Sequence, residues 1–296
     1  MKLQTKEEIE YWLKEMKIAN YFIHKDLTVD VDDDVNLFNK QLTEIPFQFG
    51  VVHGDFNCAK NKLTSLKGVP LKIRKNFICF ANQLTTLEDG PKEVCGYFNC
   101  SNNQLVTLKN GPTFVLYTFD CSKNKLTTLE GCPEIIKGEL LCSKNELTSL
   151  KGCPEKLRGM KCSYNQLVTL EYGPKEIIGA FNCSNNQLTS LKGSPKDIYG
   201  DFDCSFNQLI NLKGSPKFIG ENFYCDNNQL KTLNNFPKGM KGEVALFNNP
   251  LSEDLIKLIE QNKGNEIQII KSYYLNKKMN EELVINKNSK QLKMKV

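Results

Sequence analysis

The residues best suited to chemistry in this chain are its twelve cysteines, since a thiol can form a disulfide, bind a metal ion or act as a nucleophile. Nine of them recur in the same local sequence at steps of 21 residues, with a single step of 20. The nine are Cys58, Cys79, Cys100, Cys121, Cys142, Cys162, Cys183, Cys204 and Cys225. A period of this length indicates a solenoid of repeated coils, in which every coil places its cysteine at the same point.

Packing accounts for these nine thiols. In the coils before the first and after the last of them, Leu37 and Leu246 stand at the cysteine position, so the cysteine acts as a small buried apolar residue. Thiols stacked in one row are poorly placed for pairwise disulfides. The chain also shows no apolar leader and no stretch long enough to cross a membrane. We therefore predict a reduced, cytoplasmic protein that does not associate with membranes.

Other candidates for catalysis or metal binding are isolated in the sequence. His24 and His53 each stand alone, and the acidic residues between positions 30 and 34 lack the glycine and distal glutamate of a calcium loop. Cys132 and Cys153 precede prolines in adjacent coils, where they either fill a small core position or form a regulatory disulfide or metal contact. We predict no catalytic site, no metal site and no cofactor, and hence a protein that is not an enzyme.

The elements that position the cysteines follow from the rest of the repeat, Phe-x-Cys-Ser-x-Asn-x-Leu-Thr-x-Leu-x-x-x-Pro-x-x-Ile-x-Gly-x. Alternation of Phe and Cys around one intervening residue predicts a short strand with both side chains facing inward. The asparagine three residues after each cysteine carries donors and acceptors that suit the backbone of the turn after the strand. We therefore predict a ladder of stacked asparagines at Asn61, Asn82, Asn103, Asn124, Asn145, Asn165, Asn186, Asn207, Asn228 and Asn249.

The spacing Phe-x-Cys-x-x-Asn-x-Leu resembles the core of the leucine-rich repeat, L-x-L-x-x-N-x-L, and recurs about ten times over roughly three quarters of the chain. The short coil with a proline after the second leucine resembles repeats of this family from bacteria, phages and large DNA viruses. The resemblance implies a right-handed solenoid with a parallel sheet on its concave side. The proline segment leaves little room for helices on the convex side, where we expect extended or single-turn structure.

Three parts are expected along the chain. Residues 1–36 form an N-terminal cap of a helix, with Thr5 as its N-cap, and a hairpin, and residues 37–251 form an array of about ten coils. Residues 252–296 form a helical cap, with a strand over residues 267–270, and a basic tail. The lysines of the tail are Lys287, Lys290, Lys293 and Lys295. Caps are expected because the open ends of a stacked sheet promote aggregation.

The net charge of +5 is small for 296 residues, and Arg74 and Arg158 are the only arginines. Bidentate recognition of phosphates and bases favours arginine, so we do not expect nucleic acid as the sole partner. Successive coils carry alternating charge after the second leucine, which predicts ion pairs between neighbouring coils that fix their register. This series is Lys67, Glu88, Lys109, Glu130, Lys151, Glu171, Lys192 and Lys213.

A binding surface is predicted where the coils differ from one another. The core positions are uniform, whereas the outward residues around each cysteine vary, which is typical of a recognition face on a constant scaffold. Exposed aromatic residues on such a face are natural binding anchors. The predicted contact residues are Lys123, Lys144, Lys161, Tyr164, Asp203, Phe206 and Tyr224. A second candidate surface is the row of lysines after successive prolines, namely Lys175, Lys196, Lys217 and Lys238.

The sequence therefore predicts a monomeric, non-enzymatic module that binds a partner protein on its concave face. Resemblance to phage and prophage arrays implies that this partner is a host protein and that the module acts in the host cytoplasm. One alternative is an inhibitor of a host defence nuclease or of its nucleic-acid-bound complex. Another alternative is a structural or surface component, such as a part of a virion.

Overall fold

The computed structural model describes residues 2–262, 265, 267–270, 272, 273 and 275. These residues form a solenoid whose largest sheet, the main sheet, contains eleven strands, one from each coil. All neighbouring strands of the main sheet pair in parallel, and each residue lies beside its equivalent in the next coil. The predicted parallel-sheet solenoid is confirmed.

The strands of the main sheet are short, because the backbone turns away two or three residues after each strand begins. In spatial order they are β3 (Val35–Asn36), β5 (Phe56–Asn57), β7 (Phe77–Ile78), β9 (Phe98–Asn99), β11 (Phe119–Asp120), β13 (Glu139–Leu141), β15 (Gly159–Lys161), β17 (Phe181–Asn182), β19 (Phe202–Asp203), β21 (Phe223–Tyr224) and β23 (Val244–Ala245).

Two side sheets are formed mainly by the segment that follows the proline of each coil. The first side sheet contains β1 (Tyr21–Ile23), β2 (Val29–Val31), β4 (Phe49–Val52), β6 (Lys72–Ile73), β8 (Glu93–Val94), β10 (Phe114–Val115) and β12 (Ile135–Ile136), of which β1 and β2 pair antiparallel. The second contains β14 (Lys156–Leu157), β16 (Glu176–Ile177), β18 (Asp197–Ile198), β20 (Phe218–Ile219) and β22 (Gly239–Met240). Residues 16–252 contain no helix, so the extended structure predicted after the prolines is confirmed.

The apolar core lies between the main sheet and the side sheets and continues from coil to coil. The nine repeated cysteines are fully buried and are free thiols, as predicted. The phenylalanines two residues before them stack along the solenoid, with ring centroids 5.0 Å apart for Phe77 and Phe98 and 5.6 Å apart for Phe202 and Phe223. Leu140 and Met160 take the phenylalanine position in two adjacent coils and interrupt the row of rings.

The asparagine ladder is present and joins each coil to the one before it. The Nδ2 of Asn145 donates to the carbonyl oxygens of Cys121 in the preceding coil and Cys142 in its own coil, both at 3.1 Å. Its Oδ1 accepts a hydrogen bond from the backbone N–H of Leu126 at 3.1 Å. Asn249, in the last coil, makes the same three kinds of bond. The ladder satisfies the backbone of every turn that leaves the main sheet.

The step of 20 residues coincides with the gap between the two side sheets. In most coils three residues connect the buried side-sheet residue to the next main-sheet phenylalanine position, as between Ile136 and Leu140, but only two lie between Leu157 and Met160. At this point β12 and β14 do not pair, whereas β13 and β15 remain paired across three residues. A connection that is one residue shorter therefore divides the side layer and leaves the main sheet continuous.

At the N-terminal end, α1 (Lys6–Glu15) begins after its predicted N-cap, Thr5. The Thr5 hydroxyl accepts from the Glu8 N–H, and the Glu8 carboxylate accepts from the Thr5 N–H, both at 3.2 Å. This helix buries Ile9 and Leu13 on the solenoid.

At the C-terminal end, α2 (Glu253–Glu260) begins after Ser252 and buries Leu255. Residues 267–270 are helical, so the strand predicted there is wrong. Four residues are too few for an apolar pattern to distinguish the periods of a strand and a helix. The lysines of the predicted basic tail lie outside the described residues. Among the described helices, none combines the length and the apolar character needed to span a bilayer.

Candidate recognition face

The residues around each cysteine form the surface that the sequence singles out for binding. We call the residue before the cysteine position and the two residues after it, in all coils together, the outer sheet face. Only the first of the three lies in a main-sheet strand; the other two belong to the turn that follows. The variable residues therefore occupy two distinct backbone environments, each with its own conformational preference.

The second residue after the cysteine position has a left-handed backbone in all eleven coils, with φ between 52° and 58°. These residues are Asn39, Lys60, Ala81, Asn102, Lys123, Lys144, Tyr164, Asn185, Phe206, Asn227 and Asn248. Asparagine tolerates this conformation, whereas most other residues adopt it at a cost of about 1 kcal/mol. The lysines, tyrosine and phenylalanine in the series therefore occupy positions that the scaffold alone would assign to asparagine, which suggests a role in function.

The residue before the cysteine position ends the main-sheet strand in every coil, and in six coils it also begins a turn that its own side chain stabilises. Its side-chain oxygen accepts a hydrogen bond of 2.9–3.1 Å from the backbone N–H two residues later, which is the geometry of an Asx turn. The six residues are Asn36, Asn57, Asn99, Asp120, Asn182 and Asp203. The other five coils carry Ile78, Leu141, Lys161, Tyr224 or Ala245, none of which has the carboxylate or amide oxygen that this turn requires.

The coils of β13 and β15 lack both the Asx turn and the left-handed asparagine. They carry Leu141 and Lys161 where others have the Asx turn, and Lys144 and Tyr164 at the left-handed position. The Lys144 Nζ lies 5.3 Å from the centroid of the Tyr164 ring, and Tyr164 is 55% exposed. With the exposed Lys123 of the preceding coil, these residues form what we call the central patch.

The structure brings four of the predicted contact residues together and places the others nearby. Lys123, Lys144, Lys161 and Tyr164 lie in the consecutive coils of β11, β13 and β15. Phe206 and Tyr224 are exposed in the successive coils of β19 and β21. The coil of β17, which carries asparagines at both of the variable positions, separates these two groups.

Asp203 differs from the other predicted contact residues in its hydrogen bonds. Its Oδ1 accepts from the backbone N–H and the hydroxyl of Ser205, at 3.0 and 2.6 Å, and its Oδ2 accepts from the Asn182 Nδ2 at 2.8 Å. Both oxygens therefore serve the end of the strand. The contact of Asp203 with a partner stays a prediction.

Sequence reasoning missed Phe38, which lies at the start of the same face. The rings of Phe38 and Phe80 lie 6.5 Å apart across the coil of Ala59, and the Lys60 Nζ lies 5.3 Å from the Phe38 ring. Phe38 follows Leu37, which stands at the cysteine position, so alignment of the first coil with the others would have identified it. Phe247, which is 62% exposed, follows Leu246 in the last coil in the same way.

Both histidines, which were candidates for catalysis, form structural pairs with aspartates. His24 lies 2.8 Å from Asp30, and His53 lies 2.9 Å from Asp32. Partial burial raises the pKa of the Asp30 carboxyl, but hydrogen bonds from the Val51 N–H and His24 lower it more, so the pKa lies below its ordinary value. Within the described part of the chain, no group of three or more histidine, cysteine, aspartate or glutamate side chains is arranged to hold a metal ion.

The nine repeated cysteine thiols are held in their neutral form. Burial raises the pKa of the Cys58 thiol to about 12 and raises the pKa of the other eight repeated thiols, which together with Cys58 we call the ladder thiols, well above its ordinary value. Burial also raises the pKa of the Cys153 thiol to about 12. A thiolate is the nucleophilic and metal-binding form, so the buried column is chemically inert at neutral pH. Cys132 is buried and Cys153 is partly buried, both as free thiols in adjacent coils.

The charged rows outside this face contain ion pairs between coils. In the alternating series, Lys151 lies 2.6 Å from Glu130 and Lys192 lies 2.8 Å from Glu171, as predicted. In the lysine row after the prolines, Lys175 pairs with Glu155 of the preceding coil. Exposed pairs of this kind contribute about 0.2–1 kcal/mol each, so they favour one register of stacking.

Comparison with known proteins gives two similar solved structures. YopM from Yersinia enterocolitica WA-314 is 27% identical, covers 74% of this chain and has a TM-score of 0.59. YopM from Yersinia pestis, described as a leucine-rich effector protein, is 20% identical over 73% of this chain, with 60% of its own length covered and a TM-score of 0.49. This chain spans about half, 47%, of the length of the first of these proteins. No protein-family model and no curated protein sequence matches the chain.

Proposed function

We propose that this chain, a leucine-rich-repeat protein in its repeat and its fold, is an interaction module that binds a partner protein through the outer sheet face. One observation carries the proposal. Where the left-handed asparagine or the Asx turn is missing, most of the replacing residues are lysine, tyrosine, phenylalanine or a branched aliphatic residue on this face. Residues that are unfavourable for the scaffold and exposed to solvent are well explained by selection for binding.

The proposal includes the absence of enzymatic activity. The histidines pair with single aspartates and the ladder thiols are neutral, which supports a binding role over a catalytic one. Turnover of any substrate that depends on His24 or His53 would contradict this part of the proposal.

The test replaces three aromatic residues by the residue that other coils carry at the same positions. Tyr164→Asn and Phe206→Asn introduce asparagine at left-handed positions, and Tyr224→Asn introduces an Asx turn like that of Asn182. We expect the triple variant to lose its partner in affinity purification from cells, read by mass spectrometry. We also expect its thermal stability to stay the same or to rise, by about 1 kcal/mol at each left-handed site.

A matched control keeps the number of removed aromatic rings constant. Tyr97, Tyr172 and Tyr199 are 52%, 69% and 60% exposed and do not belong to the outer sheet face. Their replacement by asparagine should leave the captured partner unchanged. Equal capture by the wild type and by the outer-face variant would exclude this face as the binding surface.

The finer details are also proposals. The resemblance to phage and prophage arrays supports a host protein as the partner, met in the host cytoplasm by a monomeric module, with inhibition of a defence nuclease as one form of this activity. The identity of the captured protein tests both points. We also propose that residues 1–36 and 252–296 act as caps of the array formed by residues 37–251. Recovery of the protein in purified particles would instead support a structural component.

A further inference from the structure

We infer that the central patch binds an acidic segment of the partner protein. This inference rests on the proposed function and adds the chemistry of the ligand. The patch consists of Lys123, Leu141, Lys144, Lys161 and Tyr164, which lie on three consecutive coils of the outer sheet face.

The ammonium groups of the patch are available to an external anion. Lys123, Lys144 and Lys161 are exposed, and none of them forms an ion pair with another residue in the described part of the chain. Other lysines of the array do pair between coils, as Lys151 and Lys192 do. The patch therefore retains positive charge that the scaffold does not neutralise.

Nearby carboxylates do not cancel this charge. Asp120 is partly buried and accepts a hydrogen bond from the Ser122 N–H at 2.9 Å, so its oxygen already has a donor. Glu146 is exposed but stands outside the outer sheet face, two residues beyond Lys144. Three lysines against one engaged aspartate leave the patch basic.

The size and shape of the patch match a short stretch of polypeptide. Neighbouring strands lie ~4.8 Å apart, so the three lysines span about 10 Å across the sheet, which an extended segment of three or four residues covers. Leu141 lies between them on the middle strand, and the Tyr164 ring stands beside Lys144. A segment that carries carboxylates together with an apolar side chain would satisfy all five residues.

The rest of the face disfavours a long polyanion such as nucleic acid. Two coils beyond Lys161, the face carries the partly exposed Asp203. A phosphate backbone that followed the sheet would meet this carboxylate. Neither arginine of the chain lies on this face, although bidentate phosphate recognition favours arginine.

The first experiment uses a defined probe with the full-length protein. The probe is a fluorescein-labelled dodecapeptide in which glutamates alternate with serine and leucine, and its matched control replaces each glutamate by glutamine. By fluorescence anisotropy we expect the glutamate peptide to bind at least tenfold more tightly than the glutamine peptide. Zero-length carbodiimide coupling should join its carboxylates to Lys123, Lys144 and Lys161 in preference to other lysines.

Two variants locate the site. The triple change Lys123→Gln, Lys144→Gln and Lys161→Gln should weaken peptide binding at least tenfold. The matched triple change Lys196→Gln, Lys217→Gln and Lys238→Gln removes the same charge from the lysine row and should alter binding less than twofold. Circular dichroism should be unchanged in both variants, because all the replaced side chains are exposed.

Three outcomes would overturn the inference: equal binding of the two peptides, coupling spread evenly over the surface lysines, or tighter binding of a twelve-nucleotide single-stranded DNA at the central patch. Capture of the cellular partner separates this inference from the proposed function. If the aromatic variant loses the partner and the Lys123, Lys144 and Lys161 variant keeps it, the outer sheet face remains the proposed binding surface. The inference that the central patch binds an acidic segment is then rejected. A partner kept by both variants would reject both proposals.

Discussion

At the residue scale, ten of the eleven coils carry a ladder asparagine, whose side chain bonds the backbone of two coils at once. Its amide donates to carbonyl groups of two successive coils and accepts from a backbone N–H of the earlier one. Buried backbone groups without partners are expensive, and the turn at this position has no other regular partner for them. The ladder therefore allows the chain to leave a strand of only two residues without exposing its backbone.

Replacement of one ladder residue should show this cost. Asn145→Ala leaves the buried N–H of Leu126 without its side-chain partner. The carbonyl groups of Cys121 and Cys142 each lose one of two asparagine donors and keep Asn124 and Asn165, respectively. At about 1–3 kcal/mol for one unsatisfied buried group, we expect a loss of about 1–3 kcal/mol in the free energy of unfolding, measured by urea denaturation. Glu146→Ala, at the exposed neighbouring position, should change it by less than about 0.5 kcal/mol. Similar values for the two variants would contradict the structural role of the ladder.

At the scale of elements, the N-terminal helix packs on the apolar core of the solenoid. Helix α1 places Ile9 and Leu13 in the core, and the Trp12 ring packs edge-on against Phe47 with centroids 5.2 Å apart. The edge of a parallel sheet otherwise exposes a row of unpaired backbone groups. We propose that the helix, with the β1–β2 hairpin, protects this end of the array.

The capping box at Thr5 should be measurable through the single tryptophan. Thr5→Ala removes the hydroxyl acceptor of the Glu8 N–H, so we expect a loss of about 1 kcal/mol from the helix. Because Trp12 is the only tryptophan, its fluorescence reports on the cap, while far-ultraviolet circular dichroism reports on the array. We expect the fluorescence transition to move to lower urea concentration than the dichroism transition.

The control for this prediction is Glu10→Ala, which removes only the exposed pair between Lys6 and Glu10, 3.6 Å apart. It should shift the fluorescence transition by a small fraction of the Thr5→Ala effect. A Thr5→Ala variant that unfolds like the wild type would show that the cap gains its stability from packing alone.

At the scale of the whole molecule, the column of thiols couples folding to pH. An ordinary cysteine has a pKa of about 9.0, and burial raises the pKa of Cys58 to about 12. Burial raises the pKa of the thiols further along the column as well. The folded state thus favours the protonated thiol. Its stabilising contribution is complete below pH 9 and is lost as the pH rises through 9 toward the pKa of the folded state.

We therefore expect steep alkaline unfolding of the wild-type protein between pH 9 and 12, followed by circular dichroism. Each ladder thiol contributes about 1.4 kcal/mol of lost stability per pH unit in this range. The variant with Cys100→Ala, Cys121→Ala and Cys142→Ala should be less stable at pH 8, because small cavities form. Its loss per pH unit should nevertheless be smaller by roughly 4 kcal/mol. An identical pH slope in the two proteins would rule out the thiols as the cause, since tyrosine and lysine ionisation is common to both.

Much of this architecture follows from the repeat, because every coil carries the same pattern of apolar, asparagine and proline residues. Alternation of phenylalanine and cysteine predicts the strand, the asparagine predicts the turn, and the fixed spacing predicts parallel stacking. The strand predicted over residues 267–270 failed where no repeat supports it. A pattern repeated about ten times averages out the ambiguity that a single four-residue pattern retains.

The candidate site was predictable only in part. Variation among coils identifies Tyr164, Phe206 and Tyr224 as candidates, but it also selects Asp203, whose oxygens are used within the scaffold. From the sequence alone, a residue that closes an Asx turn and a residue selected for binding both appear as a position that varies among coils. Hydrogen bonds and backbone angles separate the two, and they depend on coordinates.

The spacing of the cysteines, phenylalanines and asparagines determined the solenoid, its buried thiols and its ladder, because these depend on contacts between equivalent residues of adjacent coils. Tertiary structure alone decided which outer positions are left-handed, which side chains close Asx turns, and that a coil one residue shorter divides the side layer. It also brought Phe38 and Phe80 together. These features arise from the path of the backbone between coils, which the identity of a residue at its own position does not specify.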